Sequence, residues 1–368
     1  MKIIFTTSND SVPWGGSEEL WFKTAKYAAE NGHEVKICVK WKPLPNKLQE
    51  LYRSSNLSFL EKKSDAGLFN KYLPARFKSF KVIYKTQIIS WHPDIAVVSQ
   101  GNNADGLELI EFFETHNIPY ITISQAVYEG IWPDDAKSER MLTAYKNAKY
   151  NLFVSKANKT TTELMVGEAI INGGVIRNPF NVPYISQLAF PDTSNGYNLA
   201  CVARYEFYAK GQDVLLEVLN EKKWRERNLF INFYGSGVNV NGIKKLISYF
   251  KIENAKVNAY TDTEEIWKTN HALVLTSRFE GLPLALVEAM LCARFGIVTN
   301  VSGNSEAFVD NETGFLAAAP KPEYLDEAME RAWILRNEWE DIGEKACVYI
   351  KTIVPERPEI ELYEHIIR

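Results

Sequence analysis

Short β-rich apolar runs alternate with segments of helical periodicity along nearly all of this 368-residue chain, and they do so in two series. The first series has runs at residues 2–7, 34–39, 94–99, 120–124 and 150–154. The second has them near 197–202, 229–234, 256–259, 271–275, 296–299 and 314–317. Strands separated by helix-length crossovers pair in parallel, so each series predicts a parallel sheet with helices packed on its faces. Between the series, residues 172–195 turn to Gly173, Gly174, Pro179, Pro183 and Pro191 with interspersed Asn and Ser, a composition suited to a connection. The expected fold is α/β, with doubly wound domains at 1–180 and 196–352, a linker at 181–195 and a tail at 353–368 that can cross back to the first domain. The first helix is expected at 17–31, with Ser17 capping its start and Gly32 just past its end. Two long helices, at 322–337 and 338–350, are expected to close the second domain.

A hydrophobic fraction of 46% over this length supplies two cores, and a formal charge of -4 argues against a duplex nucleic-acid binder, whose affinity rests on excess Lys and Arg. Lys36, Lys40, Lys42, Lys47, Arg76, Lys78, Lys81 and Lys85 concentrate positive charge in the first half, as solvated surface or as a peripheral contact with an anionic membrane. Cys38, Cys201, Cys292 and Cys347 are scattered without metal-ligand spacing or disulfide density, which fits a reducing compartment. The opening residues turn polar by Thr6 and no apolar run is long enough to span a bilayer, so the expected location is cytoplasmic, with any membrane contact at the inner face.

Residues 277–290, Ser-Arg-Phe-Glu-Gly-Leu-Pro-Leu-Ala-Leu-Val-Glu-Ala-Met, join a strand end, a tight turn at Gly281 and a helix start at Pro283. Ligands of open α/β sheets bind at that edge, where free N–H groups favour phosphate. The spacing of Glu280 and Glu288 alone is uninformative, since Glu330 with Glu338 and Glu356 with Glu364 repeat it in ordinary helical segments. Across a helix start, both carboxylates can face one ligand. Arg204 follows the strand at 197–202 and Lys210-Gly211 opens the next helix; a guanidinium and an ammonium there can neutralise a diphosphate. Gly15-Gly16-Ser17-Glu18 follows the first strand, where glycines let a phosphate or sugar approach the backbone. Tyr234-Gly235-Ser236-Gly237 resembles a dinucleotide fingerprint but has Val240 at the third glycine position, which favours a tight loop near a nucleotide over an NAD site. His33, His92, His116, His271 and His365 are dispersed, and no Asp-x-Asp pair is present, so no metal site and no cofactor are expected.

Taken in order, Gly15-Gly16-Ser17-Glu18, Arg204 with Lys210-Gly211, Glu280 through Glu288-Ala289-Met290, Ser302 to Glu306 and Asn311 to Phe315 make the chain resemble the retaining glycosyltransferases of family four, which have the GT-B fold of two facing Rossmann-like domains. The resemblance spans nearly the whole chain. It implies a metal-independent transfer of a sugar from a UDP- or GDP-sugar to a glycan, lipid-linked or small-molecule hydroxyl, as in surface polysaccharide or glycoconjugate synthesis. It assigns Arg204 and Lys210 to the donor diphosphate, Glu280 to hydroxyls of the transferred sugar and Glu288 to the nucleotide ribose. It also places backbone amides of Gly281, Leu282, Pro283 and Leu284 on sugar or phosphate, Gly235 and Tyr260 near the nucleotide, and Gly15 and Gly16 on the donor from the facing domain. Family members often carry a histidine after the strand at 120–124; here Gln125 stands, which can hydrogen-bond but not titrate, and the roles open to it are positioning the sugar or acceptor and a structural part in its loop. Rival readings are a hydrolase or phosphorylase on the same fold, with Glu280 and Glu288 as a hydrolytic pair, and a non-catalytic nucleotide- or glycan-binding module.

Overall fold

The computed structural model describes residues 1–10, 14–40, 46–50, 56–62, 83–102, 104–185, 188–259 and 261–368. Seven strands form the first sheet: β1 Lys2–Thr7, β2 Glu34–Val39, β3 Leu57–Glu61, β4 Ile95–Gln100, β5 Tyr120–Ser124, β6 Tyr150–Phe153 and β7 Gly173–Val175. Six form the second: β8 Tyr197–Val202, β9 Leu229–Tyr234, β10 Ala255–Asn258, β11 Ala272–Leu275, β12 Gly296–Thr299 and β13 Gly314–Ala317. Their orders are β3-β2-β1-β4-β5-β6-β7 and β10-β9-β8-β11-β12-β13, and the neighbouring strands pair in parallel. Both orders reverse at one point, between β1 and β4 in the first sheet and between β8 and β11 in the second. A crevice opens at such a reversal because consecutive crossovers leave on opposite faces. Central strands are buried throughout, with β4, β5 and β11 buried on both faces as parallel strands covered by helices must be.

Two edge strands, β3 and β7, lie outside the expected set. Gly173 and Gly174 belong to β7, paired with Asn151 and Leu152, and so sit in the first sheet instead of a connection. The linker itself is not loose: Phe180 and Val182 are buried in the second domain's core, and Tyr184, Leu188 and Phe190 pack against it. The first helix is Glu19–Glu30, preceded by a short 3-10 turn at Gly16–Glu18. Ser17 does not cap it; its hydroxyl donates to Glu18 Oε1 at 3.0 Å, inside the 3-10 turn. Gly32 does follow its end, at φ +84°.

The terminal helix Pro358–Ile367 returns to the first domain, where Leu362 and Ile366 are fully buried beside Ile3, Phe5 and Ala25. Burying two such side chains stabilises the return by roughly 1.5–3 kcal/mol each. Polar contacts fix its register: Thr24 Oγ1 donates to the Glu359 carbonyl at 3.2 Å, and Tyr363 Oη lies 2.9 Å from His33 Nε2. Two segments therefore tie the domains together, the linker and this helix. No helix among the described residues is long and apolar enough to cross a membrane.

Candidate functional site

The two strand-order reversals face each other, and a cleft of about 440 Å³ lies between them. From the first domain it is lined by Asn9 and Gly15 to Ser17 after β1, Gly101, Asn102 and Asp105 after β4, Gln125 and Ala126 after β5, and Asn178. From the second domain come Arg204, Glu206 and Lys210 after β8, and Phe279 to Ala285 after β11. The parallel sheets thus gather residues far apart in sequence at their carboxyl edges.

Lys210 Nζ donates to Glu280 Oε1 at 2.6 Å, and Ser277 Oγ donates to the same oxygen at 2.6 Å. Glu280 is 7% exposed, so the pair is largely withdrawn from water. Oε1 is fully engaged, whereas Oε2 has no hydrogen-bond partner among the described residues and is available for a ligand hydroxyl. Arg204 is half-exposed at the rim, 3.1 Å from Glu206 Oε2. Below these charges the helix Leu284–Leu291 begins, with Pro283 as its N-cap, so the helix starts one residue later than expected. The amides of its first turn have no intrahelical acceptor and carry the positive end of the helix dipole. Two cations and a helix start along one wall have the chemistry to bind an anion such as a diphosphate.

Gly281 is required by the facing domain more than by its own turn. A Cβ there would stand 2.1 Å from the Gln125 carbonyl oxygen and 2.4 Å from Val154 Cγ2. Gly16 meets the second domain similarly, since a Cβ on it would fall 2.9 Å from Leu284 Cδ1. Glu306, from the Ser302 to Glu306 motif, braces the domains: its carboxylate accepts from Arg177 Nη2 at 3.0 Å and from the Ala157 amide at 2.8 Å. Tyr128 and Phe279 stack across the cleft mouth with centroids 4.4 Å apart.

Several expected residues fall elsewhere. Glu288 does not line the cleft; it is 5% exposed, and its Oε1 accepts from both the Asn181 amide and Asn181 Nδ2 at 2.9 Å. Burial pushes its carboxyl up to about 7. Glu280 and Glu288 therefore do not form a hydrolytic pair around one bond. Gly235 also lies outside the cleft wall, with φ +149° and a Cβ position only 2.2 Å from the Ala203 carbonyl, so it supports the backbone leading to Arg204. Tyr260 lies outside the described residues. Gly15, Gly16, Gln125, Arg204, Lys210, Glu280, Gly281, Leu282, Pro283 and Leu284 are brought together.

Sequence reasoning missed Asp105, Asn178 and Arg278. Asn178 Nδ2 donates to Gln125 Oε1 at 2.7 Å, and the Asp105 carboxylate accepts from the Asn102 amide at 2.8 Å. Arg278 clamps Asp213 through two bonds of 2.9 and 2.7 Å, fixing the turn that carries Lys210. No local pattern marks any of the three. Of the basic residues in the first half, Lys36 lies over the Trp91 ring, Lys85 over Phe112, and Lys40 donates to the Asp10 carbonyl. Lys42, Arg76, Lys78 and Lys81, and the side chain of Lys47, lie outside the described residues. Among the described residues no group of three His, Cys, Asp or Glu is disposed to hold a metal ion.

Residues 190–347 match the family model described as "Glycosyl transferases group 1". Comparison of the sequence with curated proteins gives no match. Among solved structures the fold is similar to that of Alr3699/HepE from Anabaena, determined in complex with UDP, at 13% identity over 100% of both chains with a TM-score of 0.77. It is also similar to a glycosyltransferase from Rickettsia africae ESF-5, at 19% identity over 100% of this chain and 98% of that one, TM-score 0.76. Sucrose-phosphate synthase from Thermosynechococcus elongatus, at 14% identity over 100% and 99%, gives a TM-score of 0.77. The two facing Rossmann-like domains thus have the GT-B arrangement, and the second of them matches the group 1 glycosyl transferases over residues 190–347.

Proposed function

We propose that the protein transfers a sugar from a nucleotide diphosphate sugar to a hydroxyl acceptor with retention of configuration and without a metal ion. The observation that carries this reading is the contact of Lys210 with Glu280 beside Arg204 at a helix start, on a wall that faces Gly15 and Gly16. A donor laid along that wall puts its diphosphate on Arg204, Lys210 and the amides at Leu284. Its sugar then meets Glu280 Oε2. As the bond from the anomeric carbon to the phosphate oxygen breaks, negative charge collects on the diphosphate, where the two cations and the helix start stabilise it most. These groups supply the charge that a divalent ion would otherwise bring.

The acceptor hydroxyl enters from the first-domain wall and attacks the anomeric carbon on the face the phosphate leaves. Its proton passes to the departing phosphate oxygen, so that one carbon–oxygen bond replaces another and the nucleotide diphosphate is released. Domain closure, held by Glu306 and the Tyr128–Phe279 stack, keeps water from competing. UDP is the first donor nucleotide to test, since several solved relatives of the fold hold it. Glu288 lies away from the cleft wall, bonded to Asn181, and makes no donor contact in this reading.

The test is a transfer assay with UDP- and GDP-sugars in which proton NMR follows the anomeric signal of the first product formed, with and without a chelator. Retention at an unchanged rate in chelator is expected. An inverted product, or a rate abolished by chelator and restored by a divalent ion, overturns the reading.

A further inference from the structure

The two walls of the cleft differ in chemistry. On the second-domain wall Arg204 and Lys210 stand paired with Glu206 and Glu280, whereas the described residues of the first-domain wall offer amides and one carboxylate with no cation: Asn9, Asn102, Gln125, Asn178 and Asp105. Three of these amides have a buried polar atom with no partner, namely Asn102 Oδ1, Gln125 Nε2 and Asn178 Oδ1. Gln125 is 5% exposed, and its orientation is set, because its Oε1 accepts from Asn178 Nδ2 and its Nε2 is left to donate. Asp105 Oδ2 accepts from the Asn102 amide, and Oδ1 makes no hydrogen bond to a described residue. An unpaired buried polar atom is costly, and a ligand hydroxyl, which both donates and accepts, can match each of them.

Behind Asp105 lies a second cavity of about 400 Å³ containing Lys62, Lys85, Lys137 and Arg140. Most of that charge is spoken for. Lys62 donates to the Thr7 carbonyl and lies 3.8 Å from Asp10, Arg140 makes a two-bond pair with Glu111, and Lys85 lies over Phe112. Lys137 makes no side-chain ion pair among the described residues, but it lines this second cavity and not the cleft, so on the cleft's first-domain wall the charge an anionic acceptor meets is the Asp105 carboxylate.

Resting on the glycosyl-transfer reading, we propose that the acceptor is an uncharged sugar, whose neighbouring hydroxyls are held by Asp105, Asn102 and the Gln125–Asn178 amide pair. Asp105 sets this choice. It accepts hydrogen bonds from hydroxyl groups and repels a phosphate or uronate at the same position. Because the reacting proton leaves with the donor phosphate, Asp105 is a positioning residue.

The experiment uses the full chain with its UDP-sugar donor and paired acceptors: a neutral methyl glycoside or disaccharide, its 6-phosphate and the matching uronic acid. UDP binding and slow donor hydrolysis are measured in parallel. The wild type is expected to prefer the neutral member by about tenfold or more in kcat/KM. Asp105→Asn is expected to raise KM for that acceptor by about tenfold and narrow its preference over the phosphate, with UDP affinity close to that of the wild type as the control for folding. Asn178→Ala, which frees the Gln125 amide, is expected to raise KM for the acceptor in the same way. Equal or better use of the phosphate or uronate by the wild type overturns the proposal, as does Asp105→Asn without effect on KM. Transfer to no sugar while UDP still binds and the donor is hydrolysed overturns it too. Absence of UDP binding together with absence of donor turnover instead removes the transferase reading beneath it.

Discussion

Glu288→Gln isolates the energetic cost of a buried carboxyl. The side chain is 5% exposed on the helix Leu284–Leu291, and both bonds it receives from Asn181 end on Oε1, which a glutamine oxygen can replace. Burial raises its pKa from 4.5 to about 7, Glu19 adds to the rise, and Lys23 and the Asn181 bonds oppose it. Between those values the folded protein binds a proton that the unfolded chain has released. Stability from this group is therefore fully present below pH 4.5 and is lost as pH rises through about 7. At about 1.4 kcal/mol per pH unit, the interval corresponds to roughly 3 kcal/mol. Urea unfolding of the second domain at pH 5 and pH 8 reads this directly. Glu288→Gln should match the wild type within about 1 kcal/mol at pH 5 and exceed it by roughly 2–3 kcal/mol at pH 8. A stability difference that does not change between these pH values, or that favours the wild type at pH 8, refutes the reasoning.

Glu206→Gln releases Arg204 from its partner at the rim, and since exposed pairs are worth at most about 1 kcal/mol, UDP should bind up to about fivefold more tightly by calorimetry. Weaker binding would show that Glu206 orients Arg204 instead of competing for it. Gly281→Ala sets a methyl 2.1 Å from the Gln125 carbonyl, so the domains must separate; kcat/KM should fall about a hundredfold, and wild-type turnover would refute the close approach. Tyr128→Ala removes the stack on Phe279, worth about 1 kcal/mol, and should raise the donor KM about fivefold without lowering the second domain's unfolding midpoint. An unchanged KM would show that the stack does not hold the cleft closed.

The sheets and most strand limits are legible because a buried parallel strand must be a largely apolar run, as β4, β5 and β11 are. Edge strands escape that rule. Gly173–Val175 needs little burial and reads as a loop, and Leu57–Glu61 is a five-residue run interrupted by Ser58 and ended by Glu61 at a sheet edge. At the site, Arg204, Lys210 and Glu280 are legible as residues at strand ends, yet the Lys210–Glu280 contact spans 70 residues and follows only from β8 and β11 being neighbours. Glu288 misleads because its helix turns it toward Asn181 and the domain interface, and no spacing rule records which face a neighbour covers. Asp105 and Asn178 are single polar residues whose meaning depends on the cleft around them. Gly281 looks like a turn residue, but its constraint comes from Gln125 in the other domain.

Donor turnover by Arg204→Ala and Lys210→Ala, set against UDP affinity of the same variants, tests the assignment of these two cations to the diphosphate most directly. Groups that stabilise the departing diphosphate act chiefly in the transition state, so kcat should fall about a hundredfold or more while the Kd for UDP rises by about tenfold or less. Steady-state constants equal to those of the wild type in both variants would contradict it.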